Sequence, residues 1–496
     1  MIAQRPGTLW LCASLFWGGV VFGAGEGGDV PDAQTQYRIA RRLAAEGSKE
    51  AASALRRVVE LEPNGPLADD ALLDEARLEN LPLWPEELGR LLSAARERAL
   101  VPLDRLVSTC PEGDRMAEAR VLRGLLFLEP LPGRNEGRAR QDLVFAATAS
   151  RAPWSSMARY ALARLDEWNG NGDRASAAYH RLLVDHAEEE AAARAGVGIA
   201  RTLLLRGEAP GRAAAWLEEA LDRGVDAALG AEDLRETAVR SLLRQGGSGA
   251  VWSPAGGHTV ASGIEGASAL ARGRGGDLVI GIRKERSVAR FDASGRVVAR
   301  WQVEDVHAIC VDPFGRIFVA AGPAILRLDP GGDPLRVAEA GDLAPVGSLA
   351  LDPAGRILVL NRKGDRMGVF HPGEPRPRVV REGKGFSIAS LAWDGRRVIA
   401  LEPRTGNLVQ CDPDASTRAL ATEVVQGPVL LAATAGGAIA ILDRSGDVVL
   451  LDGAGRPTDR LPARTGGIEK VSAIALGWDG SLDLLDEAKR RVLRIP

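Results

Sequence analysis

Ile309-Cys-Val-Asp-Pro-Phe-Gly-Arg-Ile-Phe-Val319 and, forty residues on, Leu349-Ala-Leu-Asp-Pro-Ala-Gly-Arg-Ile-Leu-Val359 are two copies of one short pattern. Each has an apolar run, an Asp-Pro-x-Gly turn and a second apolar run, which reads as a hairpin closed by a type I turn. Weaker copies centre on Gly275-Gly-Asp277, Trp393-Asp-Gly395, Ala435-Gly-Gly437 and Trp478-Asp-Gly480. A second turn follows in most repeats: Asp292-Ala-Ser-Gly295, Asp329-Pro-Gly-Gly332, His371-Pro-Gly373, Asp412-Pro-Asp414 and Asp452-Gly-Ala-Gly455. Two hairpins, about four strands and a period of roughly forty residues describe one blade of a β-propeller. Six hairpin centres predict six blades over 257–496. The last repeat ends one strand short, at Val492-Leu-Arg-Ile495, while His258-Thr-Val-Ala261 precedes the first blade without a partner. The two are expected to pair and close the ring, leaving few free edges.

The stretch 31–245 has a different period. A small or apolar residue, then apolar at i+4 and small or apolar at i+7, recurs as Ala51/Leu55/Val58, Leu88/Leu92/Ala95, Ala139/Leu143/Ala146, Ala175/Tyr179/Leu182 and Ala213/Leu217/Ala220. Small residues at such positions let the two helices of a hairpin approach closely, and stacked hairpins make a solenoid. The long gap between the second and third copies is expected to hold a Pro-bounded insertion from Val101 to Pro111. Glu232 to Arg244 reads as a polar-faced capping helix. The fold class is therefore a multidomain chain, an α-solenoid of helical hairpins followed by a six-bladed β-propeller, with 246–256 (Gln245-Gly-Gly-Ser-Gly249 onward) as a Gly/Ser linker.

Lys49-Glu-Ala-Ala-Ser-Ala-Leu-Arg-Arg-Val-Val-Glu-Leu-Glu-Pro63 and Gly172-Asp-Arg-Ala-Ser-Ala-Ala-Tyr179 resemble the tetratricopeptide repeat family. Val311-Asp-Pro-Phe-Gly-Arg316 and Leu351-Asp-Pro-Ala-Gly-Arg356 resemble the NHL-type six-bladed propellers. The first resemblance implies a docking surface for proteins. The second implies architecture only, since such rings host scaffolds, lyases, lactonases and hydrolases alike.

Composition is that of a globular protein: 496 residues, 45% hydrophobic, 26% charged, with a formal net charge of −3. Neither half is basic enough for nucleic acid. Arg5 followed by the uncharged apolar run Thr8 to Ala24 has the order of a secretory signal peptide over 1–25, the alternative being a short uncleaved anchor. Cleavage leaves no membrane span and places the chain in the periplasm or outside a bacterial-type cell. Cys110, Cys310 and Cys411 then remain, which is no disulfide framework.

Two functional readings follow. In the first, the chain is not an enzyme and takes no cofactor or metal; it is a scaffold for protein partners. The loops after the second strand of each blade emerge on one face and carry Arg283, Lys284 and Arg286; Arg362, Lys363 and Arg366; Arg404; Arg444; and Lys489, Arg490 and Arg491. That face is expected to be basic and to suit an anionic partner surface, while the Asp-x-x-Gly turns make the other face acidic. In the second, the channel holds an enzyme or ligand sensor centred on His307. The first residues of the inner strands are expected to line that channel. They are Ser268, His307, Gly347, Ala389, Gly427 and Ser472, too few donors for a metal. Asp312, Asp352 and Asp394 sit in the hairpin turns, where Asp caps the turn backbone. No nucleophile elbow, phosphate loop or dinucleotide fingerprint is present.

Overall fold

The computed structural model describes residues 31–148, 153–224, 231–245, 257–273, 276–329, 331–382, 386–411, 417–421, 425–434, 436–462 and 467–495. The leader at 1–25, the linker at 246–256 and the turn at Asp412-Pro-Asp414 lie outside the described residues. Among the described residues no helix is long and apolar enough to cross a membrane.

Eleven helices are described before the sheets: α1 Ala33–Ala45, α2 Ala51–Leu61, α3 Ala68–Arg77, α4 Ser93–Thr109, α5 Met116–Leu128, α6 Glu136–Thr148, α7 Trp154–Trp168, α8 Gly172–Asp185, α9 Glu190–Leu205, α10 Pro210–Asp222 and α11 Ala231–Gln245. Each packs on its neighbours in sequence, and odd-numbered helices from α5 to α11 also touch one another, so the hairpins stack in a row. The small-x-x-x-apolar-x-x-small triads at 51/55/58, 139/143/146, 175/179/182 and 213/217/220 are all buried in the second helix of their hairpins. The triad at Leu88/Leu92/Ala95 is not. Leu92 is exposed and the chain there is a 3-10 turn, Pro85–Glu87, followed by coil. The fourth helix starts only at Ser93, runs through Pro102, and buries Ala99, Leu103 and Leu106 instead. The interruption therefore sits upstream, at 78–92, and not at Val101 to Pro111. Trp84-Pro85 and Gly89, at φ +83°, break the helix there although the apolar spacing continues.

Six four-stranded antiparallel sheets follow, one per blade. The first blade uses strands 267–272, 278–282, 287–291 and 297–302, in that order. The last blade is built from both ends of the domain. Strand His258–Ser262 pairs with Arg491–Ile495, aligning His258 with Arg494 and Ser262 with Arg491. The pairing covers the edge of strand 491–495 and ties the two ends of the domain into one blade. Between neighbouring blades lie aliphatic clusters such as Ala440, Leu450, Leu482, Leu484 and Ile495.

The repeated Asp-Pro-x-Gly-Arg turn explains its own composition. Asp312 Oδ1 accepts from the amides of Phe314 and Arg316 at 2.9 and 2.8 Å, while Oδ2 accepts from the Arg316 guanidinium at 2.7 Å. Asp352 makes the same contacts to Arg356, and Asp394 to Arg397. One carboxylate thus closes the hairpin and neutralises the cation beside it.

Candidate functional site

The described hairpin turns after first and third strands that meet the solenoid, at Phe314, Gly355, Gly373, Asp452 to Arg456 and Trp478 to Gly480, mark one end of the ring, and the solenoid sits on that end. The turns between paired helices, and the last helix α11, make the contact. Phe314 in the second blade stacks edge-on against Trp168 at the end of α7, with ring centroids 5.9 Å apart. Arg456 in the fifth blade donates to the carbonyl of Gly207, between α9 and α10, at 2.7 Å. Thr237 in α11 donates to the carbonyl of Trp478 in the sixth blade. Backbones touch as well: a Cβ placed on Gly453 would lie 2.4 Å from the Leu205 carbonyl oxygen. The turn face, expected to be the acidic one, has most of its aspartates neutralised by their own arginines and is largely covered by the helices.

The opposite end carries the second-strand loops, and the solenoid contacts named above all lie away from it. All eleven basic residues singled out from the sequence lie there, and all but the half-buried Arg491 are exposed. Several are matched by acids. Lys284 and Arg490 share Glu265, Arg286 meets Glu304 at 3.0 Å, and Arg366 meets Glu382 at 3.3 Å. Lys489 faces Glu469 and Arg491 faces Asp486. The face is accordingly not uniformly basic. Among the described residues, Arg283, Arg362, Lys363, Arg404 and Arg444 show no ion pair; Arg283 is held by the Val306 carbonyl and His307, and the other four come from three consecutive blades, the third to the fifth.

The channel mouth on this end holds His307. Its Nδ1 lies 3.2 Å from the Arg283 guanidinium and its Nε2 3.2 Å from Asp305 Oδ2, so both ring nitrogens are engaged. Further in, the channel is ringed by aliphatic side chains, among them Leu270, Ile309, Leu349, Leu391 and Leu431, around a cavity of about 140 Å³. The sequence reading stopped at the first residues of the inner strands; this cavity is lined by residues two positions later in five blades and four later, at Leu431, in the fifth. Among the described residues no three His, Cys, Asp or Glu side chains are placed to hold a metal ion.

A second cavity, of about 450 Å³, lies between the solenoid and the turns of the third and fourth blades. Arg134, Arg356, Arg396, Arg397 and Arg418 face it together with Asp352. Sequence reasoning missed this group. Its members lie up to 284 positions apart, counting from Arg134 to Arg418, and only the docking of the two domains assembles them. The one local signal is the pair Arg396-Arg397, where the turns of the second and third blades place a single arginine, Arg316 and Arg356.

No protein-family model matches the chain, and neither does any curated protein. Solved structures similar to it include a streptogramin B lyase (13% identity, TM-score 0.36, covering 47% of this chain and 93% of the other). A putative gluconolactonase is 12% identical with a TM-score of 0.37, covering 49% of this chain and 93% of the other. The PQQ-bound aldose sugar dehydrogenase of Streptomyces coelicolor is 19% identical with a TM-score of 0.34, covering 49% and 98%. These matches correct the expectation that the chain is not an enzyme, because the rings it is similar to include a lyase and a dehydrogenase. At such identities they concern the fold of the ring alone.

Proposed function

We propose that the chain is an exported, two-module binding protein that offers the loop face of its propeller to an anionic protein surface. In this reading the hairpins are of tetratricopeptide type and the blades of NHL type, and the leader directs the chain to a bacterial-type envelope or beyond it. The observation that carries it is the division of labour between the two ends of the ring. The solenoid occupies the turn end, while Arg362, Lys363, Arg404 and Arg444 stand exposed and without ion pairs among the described residues at the other. Charges so placed steer association and set its salt dependence more than they add affinity.

The test uses the full chain as bait in an envelope fraction, with capture followed at increasing salt. Reversing all four cations to Glu is expected to weaken capture at least tenfold and flatten its salt dependence. Melting should stay within a degree or two, because exposed loop charges contribute little to stability. Capture that survives the reversal but is lost in His307→Ala overturns this reading and moves the site to the channel mouth.

A further inference from the structure

The cavity between the domains is of the size that takes a small organic ligand, about 450 Å³ against roughly 300–1,000 Å³ for such sites. Its charge is one-sided. Five guanidinium groups face it and, among the described residues, a single carboxylate, Asp352. That carboxylate is already taken, by Arg356 at 2.5 Å. Arg397 is matched by Asp394 at 3.0 Å, outside the cavity. Arg134 donates to the Leu128 carbonyl, a neutral partner. Arg396 and Arg418 show no ion pair among the described residues.

Burial and then the neighbouring Arg397 hold Arg396 below the usual arginine range, with Arg206 adding to the repulsion. Burial lowers Arg134 too. Trp168 lines the same wall, is 8% exposed, and its indole Nε1 has no hydrogen-bond partner. Arg134 and Arg396 are half-buried and Arg418 is exposed, so the cost of holding charge from water falls on the first two and on the orphaned indole donor. Both costs fall if an anion occupies the space. A single carboxylate matches one guanidinium; a phosphate monoester carries about −1.5 to −2 and three acceptor oxygens, which suits a cluster of forked donors.

We propose that this cavity binds a small organic phosphate, its dianionic head held by Arg134, Arg396 and Arg418 and its organic part resting against Trp168. The site is separate from the loop face, lying at the opposite end of the ring. Because it draws residues from both domains, its occupancy also ties solenoid to propeller.

Calorimetric titration of the full chain at low salt tests this, with phenyl phosphate, inorganic phosphate and succinate as probes. Phenyl phosphate is expected to bind one to one, more tightly than the other two. Arg396→Gln and Arg134→Gln should each weaken it at least tenfold, while Arg404→Gln, on the far face, leaves it unchanged. Without ligand, Arg396→Gln should melt no lower than the parent, since it removes repulsion and not a bond. Phenyl phosphate should raise the melting temperature of the parent and not of the variant. Absence of saturable phosphate binding, or Arg variants that bind as the parent does, overturns the proposal. Equal affinity for inorganic phosphate overturns the organic moiety, and equal affinity for succinate overturns the choice of phosphate. A clear drop in the melting temperature of Arg396→Gln makes that arginine structural and overturns its role. None of these outcomes touches the loop-face reading, whose cations lie elsewhere.

Discussion

The two domains bury charge in opposite ways. At the centre of the solenoid, Glu86 and Glu167 are enclosed by Arg164, Arg194 and Arg201 from α7 and α9. Tyr160 donates to Glu86 and Tyr179 to Glu167, each at 2.7 Å, and Arg201 grips both oxygens of Glu167 at 2.5 and 2.9 Å. Burial alone would raise the Glu167 carboxyl, but Arg164 and Arg201 outweigh it and hold it at about 2. The interiors between the blades are aliphatic, and most charge is kept to the turns, where each Asp–Arg pair serves one hairpin. The propeller therefore repeats mostly by local chemistry, blade after blade, with one buried long-range cluster where Asp483 meets Arg272 and Arg494 at the closing blade. The solenoid is held by buried long-range networks, this one at its middle and, beside it, Asp142 gripped by Arg120 and Arg123 between α5 and α6.

The largest effect that would break this contrast comes from removing one member of the network. Glu167→Ala leaves Arg201 and Tyr179 buried without their acceptor, and is expected to cost the helical domain about 3–5 kcal/mol. Asp352→Ala, which opens one turn, should cost about 1 kcal/mol in the propeller. Urea unfolding followed by far-ultraviolet circular dichroism reads both. Equal costs would mean that the solenoid network is no more integral than a surface turn.

A middle-sized effect is expected at the seam. Gly453 has an ordinary backbone conformation, so alanine is tolerated locally, but its Cβ would lie 2.4 and 2.6 Å from the carbonyl oxygens of Leu205 and Leu204. Gly453→Ala should cost about 1–3 kcal/mol by forcing the domains apart. Hydrogen exchange should rise at the α9–α10 turn and not inside the blades. Protection unchanged at that turn would show that the two domains are not packed as described.

The effect that shows only as a difference between two pH values is a slope in stability. Glu129, at the end of α5, is fully buried; burial raises its carboxyl to about 7, against the partial relief of the Gly89 amide and Arg316. The folded chain thus binds this proton more tightly than the unfolded one. The stabilisation it contributes is complete below about pH 4.5 and is lost as pH rises through about 7. Glu167 has the reverse sign, its contribution being present above about 4.5 and lost as pH falls towards 2. Glu129→Gln should therefore gain on the parent between pH 5 and pH 8, measured by urea midpoints. A constant difference across that range would show that Glu129 does not titrate there.

Much of the ring was legible because its determinants are local. The alternation of apolar runs with Asp-Pro-x-Gly-Arg turns specifies hairpins, and the unpaired His258–Ala261 segment marked the closing strand. Four of five helical triads fell on buried faces for the same reason. The misplaced one, Leu88/Leu92/Ala95, shows the limit: apolar spacing persists through a stretch that Trp84-Pro85 and Gly89 turn into coil. The basic loop face was legible as a list of cations, but not as a charge pattern. Glu265 and Glu304 lie outside the loops they neutralise.

By itself the sequence determined the period, the blade number, the closing strand and the helical hairpins, since each rests on contacts within a few dozen residues or on a count of strands. Only the tertiary structure decided which end of the ring is covered, which cations stay unmatched, and that five arginines share one cavity. Those outcomes depend on where two domains meet, and burial and Coulomb interactions act through space without regard to distance along the chain.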